Sequence, residues 1–169
     1  MTNYFHLFHL PPAPTIDEAA LKKTFYANSK RYHPDFHTLE DATTQQKVLE
    51  KSTENNQGYK VLADEDLRLR HLLELKGVLG AEGTNQVPQD FLMEIMEVNE
   101  ALMELEFEDD PMTRLKVTGL IDQLEADLRQ EVAEVYDTYD DATATPAQLE
   151  LLKNYYLKRR YLLRLREKI

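Results

Sequence analysis

The sequence predicts an all-α protein on four observations. Only five glycines occur among 169 residues, and β-branched residues form only short runs. Apolar residues recur mostly at intervals of three and four, which is the spacing of one helix face. Proline follows a capping residue at Asp110-Pro111 and Thr145-Pro146, as is common at helix starts. We therefore expect a helical hairpin in the first half of the chain and a three-helix bundle in the second.

The first half contains three predicted helices. Asp17 is placed to cap the first helix, which cannot continue through Pro34 because proline disfavours helix at the residue before it. A loop over residues 33–39 follows, and periodic apolar residues then predict helices over about 41–62 and 66–76. Because a loop this short favours antiparallel packing, we expect the first two helices to form a hairpin.

The second half contains three further predicted helices, over 90–106, 111–137 and 146–169. One apolar stripe runs along the middle helix. Its members are Val117, Ile121, Leu124, Leu128, Val132 and Val135. Short connections favour antiparallel neighbours, so a three-helix bundle is the simplest closed core for this half.

A segment typical of a flexible connection separates the two halves. It runs from Gly77 to Pro88, contains three glycines and Asn85, and has few apolar residues. We therefore expect a first domain over 1–76, a linker over 77–88 and a second domain over 89–169.

The charge of the chain is unevenly distributed. The formal net charge is −11. Residues 1–84 hold 10 basic and 12 acidic side chains, net −2, whereas residues 85–169 hold 10 and 19, net −9. Strong acidity argues against general binding to nucleic acid or to anionic lipid. We therefore expect neither among the partners.

The composition also excludes several classes of site. The chain has no cysteine, which rules out disulfides, zinc-thiolate sites and cysteine-ligated iron–sulfur clusters. No apolar run reaches the roughly 18 to 20 residues needed to span a bilayer, and the amino terminus lacks a basic region followed by an apolar one. We expect a cytoplasmic protein.

The loop after the first helix carries the most informative motif, His33-Pro34-Asp35. Proline at the helix end frees the imidazole and the carboxylate to project from the loop. An exposed aspartate of this kind suits an arginine on a partner. The preceding helix displays cationic side chains, namely Lys22, Lys23, Lys30 and Arg31.

Imidazole and carboxylate groups also suit zinc or iron, so His33, Asp35 and His37 form an alternative metal site. Pro34 argues against it, because it prevents the helical spacing that would place both histidines on one face. The chain contains no phosphate-binding loop, nucleophile elbow or HExxH helix. We therefore expect no enzymatic activity and no cofactor of its own.

The predicted helix over 90–106 has two apolar faces. The first face consists of Phe91, Ile95, Val98, Leu102 and Leu105. The second contains Leu92, Met93, Met96 and Met103 together with Glu97, Glu100 and Glu104. Spacing alone fits core packing on both sides, but a buried face should not hold three carboxylates. Adaptable methionines beside glutamates favour a surface that binds another protein, with lysines or arginines meeting the glutamates.

The run from Leu21 to Phe25 and the run from Lys30 to Asp35 together resemble the second helix and loop of a J-domain. J-domains engage seventy-kilodalton heat-shock chaperones and stimulate their ATPase, which would place hydrolysis in the partner. The resemblance implies that the chaperone-binding residues are Lys22, Lys23, Lys30, Arg31, His33, Pro34 and Asp35. Tyr26, Ala27 and Asn28 depart from the usual pattern, and these departures bear on the choice of chaperone.

Two other segments, Tyr4–Phe8 and Phe91–Glu97, resemble the HscB family of iron–sulfur cluster assembly co-chaperones. Further matches are Ser52, Asn56, Tyr59, Leu62, Asp64, Arg68, Leu72 and Leu73. The resemblance implies that the second domain binds the scaffold protein on which clusters are built. The implied scaffold-binding residues are Leu92, Met93, Met96, Glu97, Glu100, Glu104 and Tyr161.

Three positions depart from the HscB pattern: Gly58, Glu65 and His71 stand where alanine, proline and tyrosine are usual. In a helix, Gly58 is expected to cost about 1 kcal/mol relative to alanine.

Alternatives to this assignment remain. The first is a J-domain co-chaperone that serves an unrelated client. The second is a metal-dependent enzyme that uses histidines and acidic residues. The third concerns the basic end of the last helix, which could contact nucleic acid or lipid. Its cations are Lys158, Arg159, Arg160, Arg164, Arg166 and Lys168.

Overall fold

The structure is a computed structural model that describes residues 1–169. It contains eight α-helices, one 3₁₀ helix and no strand, so the all-α prediction is confirmed. The α-helices are α1 (Tyr4–Leu7), α2 (Glu18–Arg31), α3 (Ala42–Ala63), α4 (Glu65–Leu75), α5 (Gln89–Glu94), α6 (Met96–Phe107), α7 (Pro111–Thr138) and α8 (Pro146–Arg166). The 3₁₀ helix, Pro34–Phe36, lies in the loop between α2 and α3. None of the helices combines the length with the apolar content that crossing a bilayer requires.

Side-chain caps start six of the eight α-helices, including the three whose capping residues the sequence indicates. The carboxylate of Asp17 accepts the N–H of Ala20 at 3.0 Å at the start of α2. Thr145 and Gln148 form a capping box at the start of α8. Such caps satisfy N–H groups that have no partner within the helix, and each contributes about 1 kcal/mol.

The structure corrects several predicted boundaries. The single helix expected over 90–106 is two helices that meet at Ile95, whose ψ of 1° departs from helical geometry. The apolar stripe continues through this residue, so periodicity does not detect the break. Helix α8 ends at Arg166 rather than at residue 169. Neither α1 nor the 3₁₀ helix inside the loop was expected from the pattern.

The chain forms two compact units. The first comprises Met1–Lys76 together with Asp140–Thr143, and the second comprises Gly77–Tyr139 together with Ala144–Ile169. In the first unit, α1, α2 and α4 each pack on α3. In the second, α6 packs on α7 and α7 packs on α8. The buried side chains at the centre of the second unit include Phe91, Ile95, Val117, Ile121, Leu152 and Leu162.

A buried asparagine joins the two helices of the hairpin in the first unit. The Asn55 amide on α3 donates to the Phe25 carbonyl and to the Ser29 hydroxyl of α2, each at 3.2 Å. The rings of Phe25 and Tyr59 stack with centroids 4.1 Å apart. Because a buried polar group is costly when unpaired, this bonding favours one register of α2 against α3.

Gly58 and His71, two residues that depart from the HscB pattern, form the surface on which α1 packs. The Tyr4 N–H donates to Nε2 of the buried His71 at 3.1 Å, and burial lowers the pKa of His71, which favours the neutral ring that can accept this bond. A Cβ at Gly58 would lie 2.7 Å from Cε2 of Phe8 and 2.8 Å from Cδ1 of Tyr4. Glycine at this position therefore allows α1 to approach α3 closely.

We predict opposite effects from two glycine-to-alanine changes. Alanine is a better helix former by about 1 kcal/mol. At Gly58, however, the added methyl meets the rings of Phe8 and Tyr4, and overpacking of this kind costs about 1–3 kcal/mol. Gly58→Ala should therefore lower the melting temperature. Gly119→Ala on α7, where an added Cβ meets nothing within 4 Å, should raise it. Thermal unfolding followed by circular dichroism tests both variants, and an increase at Gly58 would contradict the packing account.

Candidate functional site

The loop that follows α2 presents its imidazole and carboxylate to solvent. The side chains of His33 and Asp35 are 53% and 84% exposed. Nδ1 of His33 accepts the N–H of Asp35 at 3.2 Å, so Nε2 carries the ring proton and is the donor open to a partner. The proline between them starts the 3₁₀ helix. A hydrogen-bond donor and a carboxylate are thus available side by side.

His37 ties this loop to the end of α2. Its Nε2 lies 2.9 Å from the carbonyl oxygen of Arg31, and its Nδ1 lies 3.0 Å from a carboxylate oxygen of Glu40. The side-chain amide of Gln45 on α3 donates to the carbonyls of Glu40 and Thr38 at 2.9 and 3.3 Å. Side chains from the loop and from α3 therefore hold both ends of the loop.

The His37 bridge needs a doubly protonated ring. Both of its partners are acceptors, so each ring nitrogen must carry a proton for both contacts to be favourable. The Arg31 carbonyl and then the Glu40 carboxylate raise the pKa of His37 above its ordinary value. This arrangement does not favour the alternative in which His33, Asp35 and His37 bind a metal, and no group of three or more such side chains is placed to hold an ion.

The cations of α2 lie on its outer side. Leu21 is buried, whereas Lys22, Lys23, Lys30 and Arg31 are exposed. Lys23 and Lys30 are seven residues apart and so project from the same side of the helix. The structure therefore places a cationic surface on the helix that leads into the exposed loop.

The two apolar faces of the α5–α6 segment have different environments. Phe91 and Ile95 are fully buried, whereas Leu92, Met93 and Met96 are 40%, 68% and 55% exposed. The carboxylates Glu97, Glu100 and Glu104 are exposed as well. Core packing on both faces, which spacing alone allowed, is therefore wrong. The second face is a solvent-exposed apolar surface edged by acidic residues.

Tyr161 on α8 lies beside this segment but is half-buried. The rings of Tyr161 and Phe91 are perpendicular with centroids 6.2 Å apart, and the Arg164 guanidinium lies 5.7 Å from the centre of the Tyr161 ring. Phe91 belongs to the buried face, so Tyr161 approaches the segment from its inner side.

Two cations at the basic end of α8 contact acidic residues of the same unit. Arg166 contacts Asp122 at 2.7 Å and Glu125 at 3.0 Å, and Lys158 lies 3.9 Å from Glu131. These contacts neutralise part of the local positive charge. They therefore weaken the alternative in which this end binds nucleic acid or lipid.

Comparisons with known proteins identify the family. A sequence profile described as "HSCB C-terminal oligomerisation domain" matches residues 87–169. The chain is 34% identical to the co-chaperone protein HscB homologue of Pseudoalteromonas atlantica over 171 residues, covering 99% of this chain and 94% of the relative. It is 35% identical to the Azoarcus homologue over 160 residues, covering 89% and 84%. The chain belongs to the HscB family of co-chaperones.

Solved HscB structures agree with this assignment. The crystal structure of human co-chaperone protein HscB matches 99% of this chain and 80% of its own length, with a TM-score of 0.76 and 25% identity. Chaperone HscB from Vibrio cholerae matches 98% of each chain, with a TM-score of 0.64 and 26% identity. The predicted fold, a J-domain hairpin followed by a helical bundle, is confirmed. As an HscB family member, the chain is a co-chaperone of iron–sulfur cluster assembly.

The roles of individual residues in this HscB protein stay predictions. The sequence pattern indicates His37 only as a possible metal ligand and does not indicate that its side chain supports the loop. That role depends on the carbonyl of Arg31, six residues earlier, and on the position of Glu40. A histidine three residues before a glutamate is too common a pattern to have identified the bridge.

We predict that the pKa of His37 exceeds 6.5, its ordinary value. A pKa raised by folding means that the bridge stabilises the loop fully below about pH 6.5 and is lost as pH rises through the higher value. NMR titration of the ring measures this pKa. Glu40→Gln should move it down, because the carboxylate is lost while the Arg31 carbonyl remains. A His37 pKa at or below the ordinary value would contradict the bridge.

Proposed function

We propose that this co-chaperone binds an iron–sulfur cluster scaffold protein through its second unit and delivers it to a seventy-kilodalton chaperone through its first. The J-domain loop stimulates ATP hydrolysis by the chaperone, and the chain itself carries out no catalysis. One observation carries the proposal: a single chain exposes the His33-Pro34-Asp35 loop on one compact unit and an apolar, acid-edged face on another.

The chaperone contact is proposed to centre on Asp35. Its carboxylate is exposed and can accept charge-assisted, bidentate hydrogen bonds from an arginine. The Nε2 donor of His33 lies next to it, and the bracing by His37 limits the conformational entropy lost on binding. The loop therefore offers a pre-arranged pair of polar groups to the chaperone.

The cations of α2 are proposed to guide this encounter. Exposed lysines and arginine attract an acidic surface over about 10 Å at 0.1 M ionic strength. Such contacts contribute more to the rate of association than to affinity. They would bring the chaperone to the helix that leads directly into the loop.

The scaffold contact is proposed to use the outer face of α5 and α6. Leu92, Met93 and Met96 would supply apolar contact area, and methionine adapts readily to an irregular partner. The neighbouring Glu97, Glu100 and Glu104 would meet lysines or arginines of the scaffold protein. Tyr161 is a further candidate on the inner side of the segment.

Holding both partners on one chain has a direct physical consequence. Once the scaffold protein is bound to the second unit, its effective concentration near the chaperone is set by the chain that joins the two units. The gain is available only if both contacts can form simultaneously. A co-chaperone of this kind can therefore promote transfer without new chemistry.

We predict that His33→Gln and Asp35→Asn each abolish stimulation of the chaperone ATPase. Both side chains are exposed, so the melting temperature and scaffold binding should not change. His6→Gln makes the same change at another exposed histidine of the first unit and should leave stimulation intact. Steady-state ATP hydrolysis by the chaperone is the measurement. Full stimulation by either loop variant would refute the role of the loop.

We also predict that replacing Leu92, Met93 and Met96 together by alanine weakens scaffold binding at least about tenfold. Their exposure means that thermal unfolding should be nearly unchanged. Ile95→Ala is the matched buried change and should destabilise the protein by about 2–5 kcal/mol. Calorimetric titration with purified scaffold protein and thermal melts separate the two effects. Unaltered scaffold affinity of the triple variant would exclude this face as the client site.

A further inference from the structure

We infer that the client-binding surface extends along the whole of α6 and that Met103 and Phe107 are further anchors for the scaffold protein. The inference rests on the proposed function. It adds Phe107, and it gives a binding role to Met103, which helical spacing places on the same face but which the family resemblance does not name. Phe107 is 90% exposed and Met103 is 59% exposed. Such exposure of large apolar side chains has no purpose in folding, and clustered exposure of this kind marks interaction surfaces.

The positions of these residues define a single stripe. Met96, Glu100, Met103 and Phe107 follow the spacing i, i+4, i+7 and i+11, which places them within about 60° of one another on the helix. Val98 and Leu102, both buried, lie on the opposite side of α6. The stripe therefore lies opposite the core and runs for about 16 Å, the full length of α6.

The chemistry of the stripe selects its occupant. Glu100 lies within the stripe, and Glu97 and Glu104 lie along one side of it. This half of the chain holds 10 basic and 19 acidic residues, so its net charge is −9. A matching partner offers apolar pockets bordered by lysine or arginine. Phe107 at one end of this surface offers a large aromatic ring, and burial of such rings contributes strongly to interface energetics.

A second copy of this chain is a poorer fit, although the matching family profile describes an oligomerisation domain. Two copies that met symmetrically on this stripe would bring the same glutamates face to face. Like charges in an interface disfavour association. We therefore assign the stripe to the scaffold protein, and the test includes the self-association outcome.

The experiment measures binding of purified scaffold protein to the full chain by calorimetric titration. Phe107→Ala should weaken binding by about tenfold and Met103→Ala by about threefold. Leu115→Ala on α7 is the matched control, since Leu115 is 66% exposed in the same unit but lies off the stripe. That variant should bind like the unmodified chain. Thermal melts should be unchanged for all three, because each side chain is exposed.

The outcomes separate this inference from the proposed function. If the unmodified chain does not bind the scaffold protein, the proposed function fails and the extension with it. A second outcome refutes only the extension. In it, the unmodified chain binds the scaffold protein and the Leu92, Met93 and Met96 triple variant binds more weakly, but Phe107→Ala binds like the unmodified chain. If Leu115→Ala weakened binding as much as Phe107→Ala, the extension would also be refuted. A fall in oligomer mass by sedimentation in Phe107→Ala, with scaffold affinity unchanged, would assign the stripe to self-association instead.

Discussion

Burial of one apolar stripe on each helix decides which side chains remain available to partners. On α2, Leu21 faces inward and the cations face outward. On the α5–α6 segment, Phe91 and Ile95 close the core and leave Leu92, Met93 and Met96 in solvent. Each unit buries an apolar core of its own, so folding does not require these exposed side chains to be buried. Their free energy of burial is therefore available for binding another protein.

Local bracing determines how the first unit presents its motif. The motif residues are exposed, yet the loop is held by His37 bonding to the end of α2 and by Gln45 bonding from α3. The hairpin beneath is fixed by the buried amide of Asn55. Rigid support for an exposed polar pair reduces the entropy lost on binding. The stability of the hairpin and the function of the loop are linked in this way.

Local signals in the sequence predicted much of this structure. Capping residues and helical spacing identified the longer helices, because both signals lie within a few residues of one another in the sequence. The carboxylates of residues 97–104 correctly indicated that the second face of the α5–α6 segment is exposed. Contacts between distant residues were not predictable. Gly58 and His71 looked like departures from the family pattern, but both accommodate α1, and Tyr4 bonds to His71 across 67 positions. The break at Ile95 was also missed, because the apolar stripe runs through it.

The central claim is that one chain couples a scaffold protein to a chaperone ATPase. The most direct test is the steady-state ATPase rate of the chaperone with the full chain alone, with the scaffold protein alone, and with both together. The account predicts that the full chain and the scaffold protein together raise the ATPase rate by more than the sum of their separate increases. The reason is that tethering raises the local concentration of the client. Strictly additive rates, with both partners shown to bind, would contradict the coupling.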